Sequence, residues 1–156
     1  MSVYTNRVGL RNVGSYQVSG TPFITGAAGS TYGIDDGKVH MVEFPFVSKS
    51  VTVINPNTTS GQDLRVHFQS GSGVTAITVP GQAGEQNIAA TADVLKQYHY
   101  ITVPAGNGSV TLDVKCSKFY ISNRSGSDNL SYEVFAELTQ IPTANMYHLT
   151  GSGITE

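Results

Sequence analysis

Hydrophobic and polar residues alternate along most of this chain with a period of two, the pattern of strands that bury one face. LRVHFQ, 64–69, shows it most cleanly: Leu64, Val66 and Phe68 share one parity, and Arg65, His67 and Gln69 point away. SVTLDVKC, 109–116, sets Val110, Leu112, Val114 and Cys116 inward against Thr111, Asp113 and Lys115. SYEVFAELT, 131–139, does the same with Tyr132, Val134, Ala136 and Leu138 against Glu133, Glu137 and Thr139. Weaker runs follow the same rule at SYQVSGTPFITG (15–26), VTAITVPG (74–81), YHYITV (98–103) and KFYISN (118–123).

EFPFVSKSVTVIN, 43–55, is apolar almost throughout and raises a sharper question. His40, Val42, Phe44 and Phe46 share a parity up to Pro45, which cannot donate a ladder hydrogen bond. After the polar pair Ser48–Lys49 the alternation restarts at Val51 and Val53. The expectation is two β segments meeting at a bend near Ser48–Lys49, with Glu43 and Lys49 lacking evident partners.

Between the strands lie turn signals: the Gly/Asp-rich loop 27–37 and NPNTTSGQD from Asn55, with its Asn-Pro and Ser-Gly dipeptides. Only QAGEQNIAATADVLKQ, 82–97, has helical character, with Ile88, Ala92 and Leu95 spaced for one short surface helix. Eight or nine short strands with clean alternation predict an all-β fold, an antiparallel β-sandwich. Several connections are longer than hairpins, which favours jelly-roll or Greek-key wiring over an up-and-down meander. The expected organisation is an N-terminal arm (1–14), a sandwich domain (15–139) and a C-terminal arm (140–156).

Composition narrows the function. At 156 residues the chain can bury roughly 70% of its unfolded surface without disulfide or metal staples. Its single cysteine rules out an intramolecular disulfide and a Cys-rich zinc site. Charged residues make up 13% of the chain, about half the usual share, beside 17 glycines. A formal charge of −2, with basic residues scattered singly, offers no phosphate path, so direct nucleic-acid binding is not expected. No apolar run reaches the ~18 residues of a membrane span, and the N-terminus does not read as a signal peptide.

A search for chemistry returns little. His40, His67, His99 and His148 stand apart with no metal-ligand spacing and read as surface or interface histidines. Cys116, on an inward parity, reads as a buried structural thiol. No Gly-x-Ser-x-Gly elbow occurs, Asp35–Asp36 precede a turn glycine, and Glu133 and Glu137 read as solvated charges. Asn57, Asn107, Asn123 and Asn129 start Asn-x-Ser/Thr triplets but read as turn asparagines. Tyr98, Tyr100 and Tyr120 could form a modest sugar platform, although a sheet margin or subunit contact explains them more simply. No catalytic residue and no cofactor is expected.

That leaves assembly. The arms carry apolar residues with no strand of their own: Val3, Tyr4 and Leu10 at one end, Met146, Tyr147, His148, Leu149 and Ile154 at the other. These are the interface candidates, covered by a neighbour or, with equal weight, wrapped on their own sandwich.

The segments FPFVSKSVTVIN, LRVHFQSG, DVKCSKFYISN, FAELTQIP and MYHLTGSGI together resemble virion structural proteins of tailed phages, particularly those of cyanobacteria. The resemblance spans about Val39 to Ile154, with a variable loop from Gly71 to Gln97, and leaves the N-terminal region outside. It implies a capsid decoration or cement protein in the virion, made in the host cytoplasm. Its partner would be the major capsid protein, its self-association a homotrimer. The alternative is a host- or carbohydrate-binding module of a tail or surface appendage.

Overall fold

The structure is a computed structural model, and residues 9–11, 13–17, 20–69, 84–87, 98–127 and 129–147 are described. Nine strands are formed among them: β1 (Thr21–Ala27), β2 (Lys38–Glu43), β3 (Phe46–Asn55), β4 (Leu64–His67), β5 (Gly84–Asn87), β6 (Ile101–Val103), β7 (Gly108–Leu112), β8 (Lys118–Asn123) and β9 (Tyr132–Pro142). They build a four-stranded sheet ordered β1-β9-β3-β7 and a five-stranded sheet ordered β5-β2-β8-β4-β6. Every pairing is antiparallel. The expected antiparallel β-sandwich is the fold observed.

The pairings nest. β1 pairs with β9, β2 with β8, β3 with β7 and β4 with β6, so the chain runs as one long hairpin folded over itself. Strands β1 to β4 and β6 to β9 alternate between the sheets, while β4, β5 and β6 all belong to the second, and an up-and-down meander is excluded. The two inner faces meet in one core. Val51, Val53, Val134, Ala136 and Leu138 come from the first sheet, and Val42, Leu64, Val66, Phe119 and Ile121 from the second. Leu64, Val66, Val134, Ala136 and Leu138 among them are positions that alternation assigns inward.

The middle of the second sheet is buried on both faces. Met41, Tyr120 and His67 lie in one register row on the parity opposite to the core, yet are 3%, 5% and 1% exposed. Val39 and Ser122, one row away, are fully buried. His67 was expected to point to solvent, because a two-residue period cannot tell an outer face that is covered from one that is wet.

Several local expectations change. The break in EFPFVSKSVTVIN falls at Phe44–Pro45, where the chain leaves the second sheet for the first. Ser48–Lys49 lies within β3, at an irregularity in its pairing with β9. The bulge has a purpose in packing. Buried Ser48 donates through Oγ to the Val114 carbonyl (2.7 Å) and accepts from the Cys116 N–H (3.0 Å), while its own N–H bonds the Cys116 carbonyl. These bonds tie β3 to the segment after β7, where Val114 and Cys116 keep their inward parity without a ladder. Lys49 is not without a partner, since its Nζ lies 3.5 Å from the Glu137 carboxylate. Ser48→Ala should therefore cost about 2–3 kcal/mol, because a buried acceptor and donor both lose their partner. Urea denaturation checks this, and a loss under about 0.5 kcal/mol would refute the staple.

The stretch around Tyr16 is a helical turn (Gly14–Gln17) rather than a strand, and β1 starts at Thr21. Gly20 passes so close to β9 that an added Cβ would lie 2.6 Å from the Glu137 Cβ. A second helical turn, Gly29–Tyr32, sits in the loop 27–37. Within 82–97, where a helix was expected, Gly84–Asn87 is strand β5 and extends the second sheet beside β2. The rest of that stretch, and the strand expected at 74–81, lie outside the described residues. β9 runs on to Pro142, past the boundary expected at Thr139.

Turn asparagines hold the ends of the sandwich together. Asn55, fully buried, donates to the Gln62 and Val103 carbonyls, both at 2.9 Å. Asn57 pairs reciprocally with the Ser131 backbone, donating to its carbonyl and accepting from its N–H, as a strand neighbour would. Asn123, also fully buried, donates to the Ile34 and Ser127 carbonyls and accepts from the Ser125 N–H and hydroxyl. The reading of Asn57 and Asn123 as turn residues thus gains a structural role.

Candidate interaction face

The outer face of the first sheet differs from that of the second. Register places Ile24, Phe135, Thr52 and Thr111 in one row across all four strands. Ile24 is 78% exposed and Phe135 40%, on adjacent strands where cross-strand side chains touch. Thr52 and Thr111 close the row with a 2.9 Å hydroxyl contact. One neighbouring row carries Pro22, Glu137 and Ser50, with the Ser50 hydroxyl donating to the Glu137 carboxylate. The other carries Gly26, Glu133, Ile54 and Ser109. The result is a row whose apolar half is Ile24 and Phe135 and whose other half is threonine, with Glu137 and Glu133 in the rows on either side.

The described part of the N-terminal arm docks on its own chain. The Leu10 carbonyl accepts from Lys115 Nζ at 2.8 Å, and the same ammonium sits 4.4 Å from the Tyr16 ring centroid. Burial, and then the neighbouring Tyr147, push the Tyr16 phenol above its ordinary pKa. Tyr147 of the C-terminal arm therefore lies near Tyr16, just after the N-terminal arm. Leu10 and Met146 are half-buried and Tyr147 is 43% exposed. Val3, Tyr4, His148, Leu149 and Ile154 lie outside the described residues. Sequence reasoning named arm residues as interface candidates and did not single out the exposed Ile24 and Phe135. The signal was present, since both are large apolar residues on the polar parity of their strands.

The histidines are not brought together. His40 is buried, with Nδ1 3.1 Å from the Tyr132 hydroxyl; desolvation lowers its pKa to about 4, against a smaller opposing pull from Asp35. His67 stacks on Tyr120 at 5.6 Å, and its Nδ1 lies 2.7 Å from the Gln69 carbonyl and must therefore carry the proton. Burial lowers this pKa also to about 4. Neither is the surface histidine expected, because each fills a packed position where the neutral ring is the cheaper form. Cys116 is buried as expected, and desolvation pushes its thiol up to about 11, away from nucleophilic use.

A cleft of about 650 Å³ opens where β1, the Phe44–Pro45 corner, the start of β8 and the turn after β9 converge. Phe23 and Phe44 form its wall in an edge-to-face pair at 5.2 Å, and Glu43 and Lys118, register partners, stand at its lip. Ser117 and Thr143 supply its hydroxyls, with no histidine or cysteine among its lining residues. Among the described residues no group of three or more His, Cys, Asp or Glu side chains could hold a metal ion.

The tyrosine platform is split. Tyr120 is buried, whereas Tyr98 is 77% exposed and stands 5.9 Å from Tyr100. Arg65 covers the Tyr100 ring at 4.8 Å. Tyr98 also holds φ at 58°, a conformation uncommon outside glycine. No helix among the described residues is long and apolar enough to cross a membrane. No family model matches the chain, and comparison with curated proteins and solved structures returns no match.

Proposed function

We propose that this chain is a non-enzymatic virion structural protein that acts as a capsid decoration protein of a tailed phage. It would lie over joints between major capsid protein subunits and stabilise the shell by adding buried interface. The observation that carries this reading is the exposed cross-strand pair Ile24 and Phe135 on the outer face of the first sheet. Large apolar side chains held outward on a rigid sandwich are suited to contact rather than to catalysis. The nested strand pairing, which we read as jelly-roll wiring, and the sequence resemblance to phage virion proteins point the same way. A contact near ~1,600 Å² would hold one copy, and repeated copies on a shell add avidity. Purified protein added to capsids lacking it should bind and raise their rupture temperature, and Ile24→Lys/Phe135→Lys should bind at least tenfold more weakly. Saturating protein that leaves both binding and rupture temperature unchanged would end this reading.

The second reading, a host- or carbohydrate-binding module, rests on Tyr98 and Tyr100. An outward Tyr98 in a strained backbone, backed by Tyr100 beneath Arg65, is a surface on which a sugar face could stack. A glycan array separates the two: saccharide binding lost in Tyr98→Ala supports the module, and a blank array removes it.

A further inference from the structure

We propose that β1 is a self-association edge: two copies of this chain pair through it, antiparallel, about a two-fold axis centred on Ile24. β1 ends the first sheet, bonded to β9 on one side and to no described strand on the other. Its sequence, TPFITGA, contains no charge, one of the devices by which exposed edges resist pairing; a second such device, an edge proline, is present as Pro22. Ile24 is the middle residue of this seven-residue strand and is 78% exposed.

Pro22 sets which backbone groups face outward. A proline fits an edge strand when its missing N–H lies on the unpaired side. Thr21, Phe23, Thr25 and Ala27 then bond β9, while Pro22, Ile24 and Gly26 turn to the open edge. An antiparallel two-fold pairing places Ile24 opposite Ile24 of the second copy, each donating to the other's carbonyl. It also places Gly26 opposite Pro22, so the Gly26 N–H meets a carbonyl and the absent proline donor costs one bond per side. The pairing is self-complementary, as a two-fold interface requires.

The outer face agrees with this register. Ile24 neighbours Phe135, so the dimer joins two apolar pairs into one row, running Phe135, Ile24, Ile24 and Phe135 across the seam. Glu137 lies beside Pro22 and Glu133 beside Gly26, which puts them in one row across the two copies. Three strand spacings separate them, about 14 Å at ~4.8 Å each. That exceeds the Debye length of ~8 Å at physiological ionic strength, so the carboxylates do not oppose the contact.

The proposal does not rest on the capsid reading and is tested on the purified chain alone. Sedimentation equilibrium should show a dimer dissociating in the micromolar range, and Ile24→Lys should be a monomer with an unchanged circular dichroism spectrum. Register is tested by disulfide trapping. Directly paired residues have Cα atoms ~5.5 Å apart, inside the ~4.4–6.8 Å disulfide range. Ile24→Cys should cross-link to a dimer under mild oxidation, whereas Pro22→Cys, facing Gly26 in this register, should not. The native thiol, Cys116, is only 2% exposed and gives little background. A wild-type monomer up to millimolar concentration, or equal cross-linking of the two cysteine variants, overturns the proposal.

Discussion

Replacing Asn123 by alanine should lower stability by about 3–4 kcal/mol, a large part of the 5–15 kcal/mol typical of a domain. The side chain is fully buried and uses both ends. Nδ2 donates to the Ile34 carbonyl at 2.8 Å and the Ser127 carbonyl at 2.6 Å, and Oδ1 accepts from the Ser125 N–H and hydroxyl at 3.0 and 2.7 Å. Those bonds fix the turn between β8 and β9 against the entry to β2, next to the Ile34–Leu130 bridge. Alanine leaves these backbone groups in a dry site without the amide. Asn123→Asp should be worse still at neutral pH, because a carboxylate would face two carbonyls it cannot bond. Urea denaturation of the three proteins gives the order wild type, alanine, aspartate. An alanine variant within about 1 kcal/mol of wild type would show that the turn holds without this pin.

The second large effect is acid instability from His40 and His67. Both folded-state pKa values are lowered from 6.5 to about 4 by burial. Above pH 6.5 neither form of the chain binds these protons, so stability is unaffected. Between pH 6.5 and about 4 the unfolded chain takes them up and the folded chain does not, so stability falls as pH falls. At roughly 1.4 kcal/mol per unit, each histidine removes on the order of 3 kcal/mol by pH 4. The groups around them do little to soften this. Asp35 only partly opposes the lowering at His40, and at His67 the Gln69 carbonyl acts in the same opposing direction. His40→Gln/His67→Gln should start less stable at pH 7 but lose clearly less between pH 7 and 4. Parallel curves for wild type and double variant would assign the acid sensitivity to other groups.

Alternation made the core legible because strand periodicity is local: a residue's parity follows from its neighbours along the chain. Leu64, Val66, Val134, Ala136 and Leu138 were assigned inward on that basis and lie in the core. The same reasoning found Cys116. It mislocated the bend in EFPFVSKSVTVIN because a polar pair inside a strand looks the same whether it turns the chain or forms a bulge. Only the packing of Ser48 against Val114 and Cys116 distinguishes the two. At the start of the stretch 82–97, Gly84–Asn87 forms strand β5 on the edge that β2 offers, while Ile88, Ala92 and Leu95, which carry the helical spacing, lie outside the described residues.

The candidate face was hidden for a related reason. Ile24 and Phe135 are far apart in sequence, and only the β1–β9 register makes them neighbours. His67 and Tyr120 likewise meet only through the β4–β8 pairing.

The sequence by itself determined that this chain forms an antiparallel sandwich, and which side of most strands faces its core, since both depend on short-range patterning. Tertiary structure decided how the strands nest, that the middle of the second sheet is buried on both faces, and that Ile24 and Phe135 meet on the outer face of the first. Those outcomes depend on pairings between distant segments, where the free energy of burial is shared among residues that no local window contains.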